Sequence, residues 1–136
     1  MLKTYEISGS DFSRAGEASS NFKTILKQLG IPADVVRKVA ISMYEAEINT
    51  VIHGGGGSCE AEISDKNIVV KFTDNGPGIS DIELAMKEGY STATHSVREL
   101  GFGAGMGLPN MKKYADDLQI KTKPGEGTTV ILTINL

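Results

Sequence analysis

A carboxylate and an amide stand one helical turn apart in this chain, and a second carboxylate follows an apolar strand. Glu45 and Asn49 are four residues apart, so on a helix both side chains lie on the same side. A carboxylate there can orient a nucleophile, while an amide oxygen can hold a hydrated magnesium ion. Asp74 precedes Gly76 and Gly78, which let the backbone turn sharply beneath a flat base. An ionised carboxylate only accepts hydrogen bonds, which suits the exocyclic amine of adenine.

Two further glycine-rich segments complete the pattern. Alternating glycines at 101, 103, 105 and 107 lead into a predicted helix, where free backbone amides and the helix dipole favour phosphate. Gly127, Thr128 and Thr129 stand at the start of the last predicted strand. Together the four segments predict a pocket for an adenine nucleotide.

The same segments resemble the sequence boxes of the GHKL (Bergerat-fold) ATPase family. Residues Glu45 to His53 match the N-box, Asp74 to Ile79 the first glycine box, Gly105 to Leu108 the second, and Gly127 to Val130 the closing element. This resemblance covers the chain essentially end to end. Within the family, the chain is most similar to the small anti-sigma factors and switch serine kinases of the RsbW, SpoIIAB and RsbT type. The segment from Gly89 to Thr92 looks most like the RsbT type.

The resemblance implies a role for each matched residue. Glu45 would orient or deprotonate the acceptor hydroxyl, and Asn49 would hold magnesium between the phosphates. Asp74 and Thr129 would bind adenine, while the backbone from Gly103 to Leu108 would cradle the phosphates. The nucleotide-binding residues expected from the matched boxes are Asn49, Asp74, Gly76, Gly78, Ile79, Gly103, Ala104, Gly105, Met106, Gly107, Leu108 and Thr129.

These roles predict an ATP-dependent serine/threonine protein kinase that uses ATP and magnesium and phosphorylates a STAS-domain antagonist protein. A sigma factor or another switch protein is a further expected partner, and the resemblance leaves homodimerisation open. The alternative is a binding module, gated by ATP or ADP, that sequesters a sigma factor or other regulator without significant phosphotransfer. Retention of Glu45 favours the enzyme. Glu47 departs from the family, which commonly has an apolar or small residue at this position.

Composition narrows the remaining function classes. The 136 residues suit a single ATP-binding kinase domain spanning 1–136. A net charge of −3 without a basic stripe argues against a nucleic-acid partner. No apolar run approaches the ~18 residues of a spanning helix, and the N-terminal residues lack a signal-peptide pattern, so we expect no membrane partner and a cytoplasmic protein. Cys59 is the only cysteine, and strand alternation predicts that it packs inward.

The first half of the chain predicts a strand and two helices. A strand is expected at residues 3–8, and apolar residues from Phe12 to Leu29 then recur at helical spacing until Gly30. Pro32 opens a second helix that runs to about His53. This second helix carries a polar stripe made of Lys38, Ser42, Glu45, Asn49 and His53.

The second half predicts the strands that border the pocket. Cys59 to Ile63 and Ile68 to Phe72 alternate around a turn, which predicts a hairpin that delivers Asp74 to a strand end. A short helix at about 108–115 and strands at 118–122 and 130–136 follow. The expected fold class is α+β, a two-layer sandwich with a mixed β-sheet and helices on one face. The long segment at about 80–104 is expected to form a lid over the nucleotide.

Overall fold

A computed structural model describes residues 1–9, 14–52, 55–74, 76, 107–123 and 127–136. Within these residues the chain forms, in order, β1 (Leu2–Ser8), α1 (Glu17–Gln28), α2 (Ala33–Ile52), β2 (Gly56–Ile63), β3 (Asn67–Asp74), α3 (Gly107–Tyr114), β4 (Asp117–Lys123) and β5 (Gly127–Asn135). None of the helices in these ranges is both long and apolar enough to cross a membrane.

The five strands form one sheet in the order β1-β2-β3-β5-β4. All four pairings between described strands are antiparallel. The connection from β1 to β2 contains two successive helices, α1 and α2, and β2 pairs antiparallel with β1. The predicted two-layer α+β sandwich is therefore confirmed, while the described sheet is antiparallel rather than mixed.

The core lies between this sheet and the helices. Alternate strand residues face the helices, as the period of two requires. The fully buried strand residues on that face are Cys59, Ala61, Ile68, Val70, Phe72, Leu132 and Ile134. The helices cover them with Ala18, Phe22 and Leu26 of α1, Val36, Val39, Met43 and Ala46 of α2, and Met111 of α3.

The first helix begins later than its apolar spacing predicts. Arg14 to Gly16 precede α1, so the predicted start near Phe12 is corrected to Glu17, and Phe12 itself lies outside the described residues. Gly16 is the N-cap residue with φ of 94°, and no side-chain hydrogen bond of its own caps the helix. A Cβ atom at Gly16 would lie 2.9 Å from Tyr44 Cε1, so this entry into the helix requires glycine. The predicted end of the helix at a glycine is confirmed by Gly30, which has a φ of 76°.

A carboxylate from the neighbouring helix caps α1. Glu47 Oε2 accepts hydrogen bonds from the backbone N–H groups of Gly16 at 3.0 Å and Ala18 at 3.1 Å, and Oε1 accepts one from Ser19 at 2.9 Å. The first N–H groups of a helix have no partner within the helix, and the helix dipole favours negative charge at this end. Glu47, only 2% exposed, therefore fastens α1 to α2. This contact gives the acidic side chain at position 47 a structural role.

Replacing Glu47 by glutamine should destabilise the fold. The amide nitrogen that takes the place of one carboxylate oxygen cannot accept a hydrogen bond, so at least one buried backbone donor of α1 loses its partner. We expect the free energy of unfolding to fall by about 1–3 kcal/mol, measured by urea denaturation. Glu60→Gln, on the exposed face of β2, is the matched control and should leave the midpoint unchanged. Equal midpoints for Glu47→Gln and the parent protein would contradict the capping role.

The single cysteine is buried in β2, as predicted. Burial raises the pKa of the Cys59 thiol to about 12, with smaller contributions from the negative charges of Glu47 and Glu60. Because folding keeps this thiol protonated, its contribution to stability is present below the unfolded pKa of about 8.5 and is lost as pH rises towards 12.

Thiol reactivity measures this burial directly. At pH 8 the folded protein should react with a disulfide reagent at least 10-fold more slowly than the protein in urea, because only the thiolate attacks. The reaction is followed by absorbance, with Cys59→Ala as the blank. Reaction of the folded protein at the rate of a free thiol would show that Cys59 is accessible.

Candidate functional site

Asp74 lies at the end of β3, with its carboxylate fixed on one side only. Oδ1 accepts hydrogen bonds from the backbone N–H groups of Gly76 at 2.9 Å and Thr128 at 3.2 Å. Oδ2 accepts no hydrogen bond from the described residues, and no buried side-chain oxygen or nitrogen in those residues lacks a partner. Oδ2 is therefore the carboxylate oxygen without a donor among the described residues, in a residue that is 8% exposed. An oriented carboxylate with one open oxygen can accept a hydrogen bond from an amine of a ligand.

The surroundings of Asp74 are polar and small. Gly57 pairs with Asp74 across β2 and β3, and a Cβ atom there would lie 2.0 Å from the carbonyl oxygen of Thr73. On the other side, Thr128 is buried, and its Oγ1 lies 3.0 Å from Thr122 Oγ1 of β4. Close packing at Gly57 and the paired hydroxyl groups of Thr122 and Thr128 therefore border the strand end that carries Asp74.

Thr129, predicted to bind adenine together with Asp74, does not share the Asp74 face of the sheet. The burial of β5 alternates so that Thr128 faces the helices and Thr129 lies on the opposite face. Thr129 pairs with Thr73 and Lys121, whereas Thr128 donates its backbone N–H to Asp74. Thr128 is thus a residue that the sequence interpretation missed. No local sequence signal distinguishes it from Thr129, because the register between β3 and β5 is what places Thr128 level with Asp74.

The polar stripe of α2 faces α3. Asn110 Nδ2 donates a hydrogen bond to Glu45 Oε1 at 3.3 Å. At the other end of the same stripe, Lys38 Nζ lies 4.0 Å from Asp116 Oδ1, just after α3. Asn49 lies one turn beyond Glu45 and, like it, is half-buried. The stripe therefore borders the helix that follows the predicted phosphate-binding glycines, and Asn110 is a second residue that the sequence interpretation missed.

The remaining predicted residues fall into two groups. Gly107 and Leu108 form the first residues of α3. The other predicted residues, together with the lid at about 80–104, lie outside the described residues, namely His53, Gly78, Ile79, Gly103, Ala104, Gly105 and Met106. Among the residues that the structure describes, no group of three or more His, Cys, Asp and Glu side chains could hold a metal ion.

A separate cleft of about 660 Å³ lies between β1 and α1. Tyr5 and Asn21 line it, and the Tyr5 hydroxyl donates a hydrogen bond to Asn21 Oδ1 at 2.7 Å. Glu45, Asn49 and Asp74 are not among the residues that line this cleft. The cleft therefore belongs to the α1 side of the helix layer, and the polar stripe that faces α3 belongs to another part of the surface.

Comparison with known proteins identifies the family. Residues 35–136 match the histidine kinase-, DNA gyrase B- and HSP90-like ATPases. The chain belongs to this family. The predicted resemblance to GHKL ATPases is therefore confirmed, and membership implies that ATP is the nucleotide.

Relatives within this ATPase family are anti-sigma factors. The anti-sigma F factor of Thermoanaerobacter sp. (strain X514) is 33% identical over 111 residues, which cover 78% of this chain and 74% of the relative. The anti-sigma F factor of Bacillus subtilis (strain 168) is 29% identical over 119 residues, which cover 83% of this chain and 78% of the relative. The predicted similarity to the anti-sigma branch of the family is confirmed.

Solved structures share the fold. The RsbU and RsbW domains of a Mycobacterium tuberculosis protein superpose with a TM-score of 0.67 at 16% identity, covering 98% of this chain. This ATPase chain spans only 32% of that Mycobacterium chain. The SiaB-SiaC complex from Pseudomonas aeruginosa gives a TM-score of 0.63 at 12% identity, covering 97% of this chain and 88% of the solved one. These similarities confirm the architecture.

Asp74→Asn should weaken nucleotide binding while keeping the hydrogen bonds to Gly76 and Thr128. The asparagine oxygen can still accept the N–H groups of Gly76 and Thr128, but its amide then presents a donor where Oδ2 stood, facing the adenine amine. Loss of a charge-assisted hydrogen bond costs roughly 1.5–3 kcal/mol, so the affinity for ATP and ADP should fall about tenfold or more in isothermal titration. Asp65→Asn, in the exposed turn between β2 and β3, should bind as the parent does. Unchanged affinity in Asp74→Asn would remove Asp74 as the adenine anchor.

Proposed function

We propose that this chain transfers the γ-phosphoryl group of ATP to a serine or threonine hydroxyl of a small STAS-domain regulator. The observation that carries this proposal is Glu45, a half-buried carboxylate held by Asn110 on the helix that follows the predicted phosphate-binding glycines. The anti-sigma F factors among the relatives support a regulatory role for the transfer.

The adenine base would bind at the end of β3. Asp74 Oδ2 accepts a hydrogen bond from the exocyclic amine, while the backbone N–H groups of Gly76 and Thr128 keep the carboxylate in place. We assign the threonine contact to Thr128 rather than Thr129, because Thr128 lies on the same face of the sheet as Asp74. Gly78 and Ile79 remain proposed members of this site.

The phosphates would lie over the segment from Gly103 to Leu108. Its last two residues, Gly107 and Leu108, begin α3, where backbone N–H groups without partners in the helix and the helix dipole favour anions. Bound ATP with Mg²⁺ supplies the phosphoryl group and neutralises charge. Asn49 is the proposed protein ligand of the ion, which fits a cation that keeps several waters and binds mainly through substrate phosphates.

Glu45 would act on the acceptor hydroxyl. Asn110 occupies Oε1, so Oε2 accepts the proton of the serine or threonine hydroxyl as its oxygen bonds to the γ-phosphorus and ADP leaves. Phosphoryl transfer depends mainly on positioning and on neutralisation of charge, so a single oriented carboxylate is sufficient protein chemistry.

A second function is a binding module, gated by ATP or ADP, that sequesters a sigma factor or another regulator. The relatives named anti-sigma F factors favour this candidate, since such a name describes sequestration rather than phosphotransfer. In that case the nucleotide would control the binding surface and Glu45 would not be needed for activity.

Substitution of Glu45 and Asn49 distinguishes the two functions. Glu45→Ala should keep the affinity for ADP within about threefold but lower transfer from γ-labelled ATP to the STAS-domain partner by about 10²–10⁴-fold, the usual contribution of a general base. Asn49→Ala, in contrast to Glu45→Ala, should weaken magnesium-dependent ATP binding, because the substitution removes the proposed oxygen ligand of the magnesium ion. Asp34→Ala, an exposed carboxylate in the first turn of the same helix, is the control and should match the parent.

The parent protein should be incubated with each STAS-domain protein encoded near its gene. Labelling of one of them establishes the kinase. If none is labelled while at least one protein forms an ATP-dependent complex, the kinase proposal is wrong and the binding module is the function.

A further inference from the structure

We propose that Asn110 is a positioning residue that holds Glu45 in its working orientation and ties that orientation to α3. This inference rests on the proposed function of Glu45. It assigns a role to a residue outside the nucleotide and catalytic sets predicted from the sequence.

The hydrogen bond between Asn110 and Glu45 joins the two helices that border the proposed site. Among the described residues, the bond from Asn110 to Glu45 is the one side-chain hydrogen bond that joins α2 to α3. Asn110 belongs to the first turn of α3, which starts at Gly107 directly after the predicted phosphate-binding glycines. A shift of this turn on phosphate binding would therefore move the Asn110 amide and, through its hydrogen bond, the Glu45 carboxylate.

The backbone under Asn110 is held in place from both sides. Pro109 precedes it in the first turn, where the absent N–H has no cost and the fixed φ suits a helix. Met111 follows it and is fully buried in the core. The amide of Asn110 therefore extends from a rigid position, as a group that orients another must.

The chemistry of the pair suits orientation. The amide donates to Oε1 and thereby restricts rotation of the carboxylate, while Oε2 accepts no hydrogen bond from the described residues. An amide nitrogen takes up no proton at neutral pH, so Asn110 fixes the base without competing with it. Packing of Met111 and the Lys38–Asp116 pair also hold this region to α2, so the bond to Glu45 is not required for α3 to dock.

Kinetics of phosphotransfer test the role. Asn110→Ala should lower kcat roughly 10- to 100-fold, with the KM for ATP and the Kd for ADP within twofold of the parent, because only orientation is lost. Asn110→Gln, which keeps the donor, should recover part of the rate. Asn110→Asp, which has the same shape but sets a negative charge against Glu45, should be slower than Asn110→Ala. Lys112→Ala, exposed on α3, is the control and should match the parent.

Two results would overturn the inference while leaving the kinase intact. One is an Asn110→Ala protein with parental kcat. The other is a further loss of rate when Asn110→Ala is added to Glu45→Ala, since residues that act through one another should not have additive effects. If the role of Asn110 were purely structural, the isosteric variant Asn110→Asp would instead have a kcat equal to or higher than that of Asn110→Ala.

An NMR measurement decides the contact even if the parent protein labels no STAS partner. The side-chain amide signals of Asn110, assigned by their loss in Asn110→Ala, should shift in Glu45→Ala and shift again when the parent is saturated with ADP and Mg²⁺. Signals that move in neither case would overturn the inference independently of the kinase proposal.

Discussion

The contact between Glu47 and the start of α1 is the constraint on which the helix layer depends. The backbone N–H of the N-cap residue and two N–H groups of α1 converge on one buried carboxylate of α2, so the position of α1 over the sheet is set from α2. Glu45 stands two residues earlier on the same helix, about 200° away around its axis, and faces α3. One helix thus carries a structural carboxylate on one side and a proposed catalytic one on the other. Because both residues belong to the same rigid helix, the contacts that fix Glu47 also fix the direction in which Glu45 points.

Local patterns predicted most of the fold, and the errors have a common cause. The hairpin of β2 and β3, the long helix α2 and the glycine end of α1 follow from alternation, helical spacing and turn residues that are close together in the sequence. The start of α1 does not, because its cap is Glu47, whose hydrogen bonds cross 28 to 31 residues. An apolar spacing that begins at Phe12 gives no information about a cap supplied by another helix.

The same limit applies to the site. Asp74 was predictable because an acidic residue at a strand end before two glycines is visible locally. The choice between Thr128 and Thr129 depends on which residue of β5 is level with Asp74, and only the register of two distant strands determines that. Asn110 could not be predicted for a similar reason, because its partner Glu45 lies 65 residues earlier in the sequence. Sequence boxes therefore suggest which residues would contact a ligand, but they contain no information about residues such as Thr128 and Asn110 that hold those side chains from distant parts of the chain.

The strand order has a consequence for how the protein is made. β3 pairs on one side with β5, so its edge stays open while the chain between them is synthesised. Asp74 Oδ1 gains its second hydrogen bond only from Thr128, which is 54 residues later in the chain. A nascent chain that has already formed the hairpin and both long helices therefore still lacks the Thr128 contact to the proposed adenine-binding carboxylate. If Asp74 is the adenine anchor that we propose, nucleotide can stabilise this protein only after β5 has been synthesised, so the ligand acts on the assembled sheet and not on the earlier steps of folding.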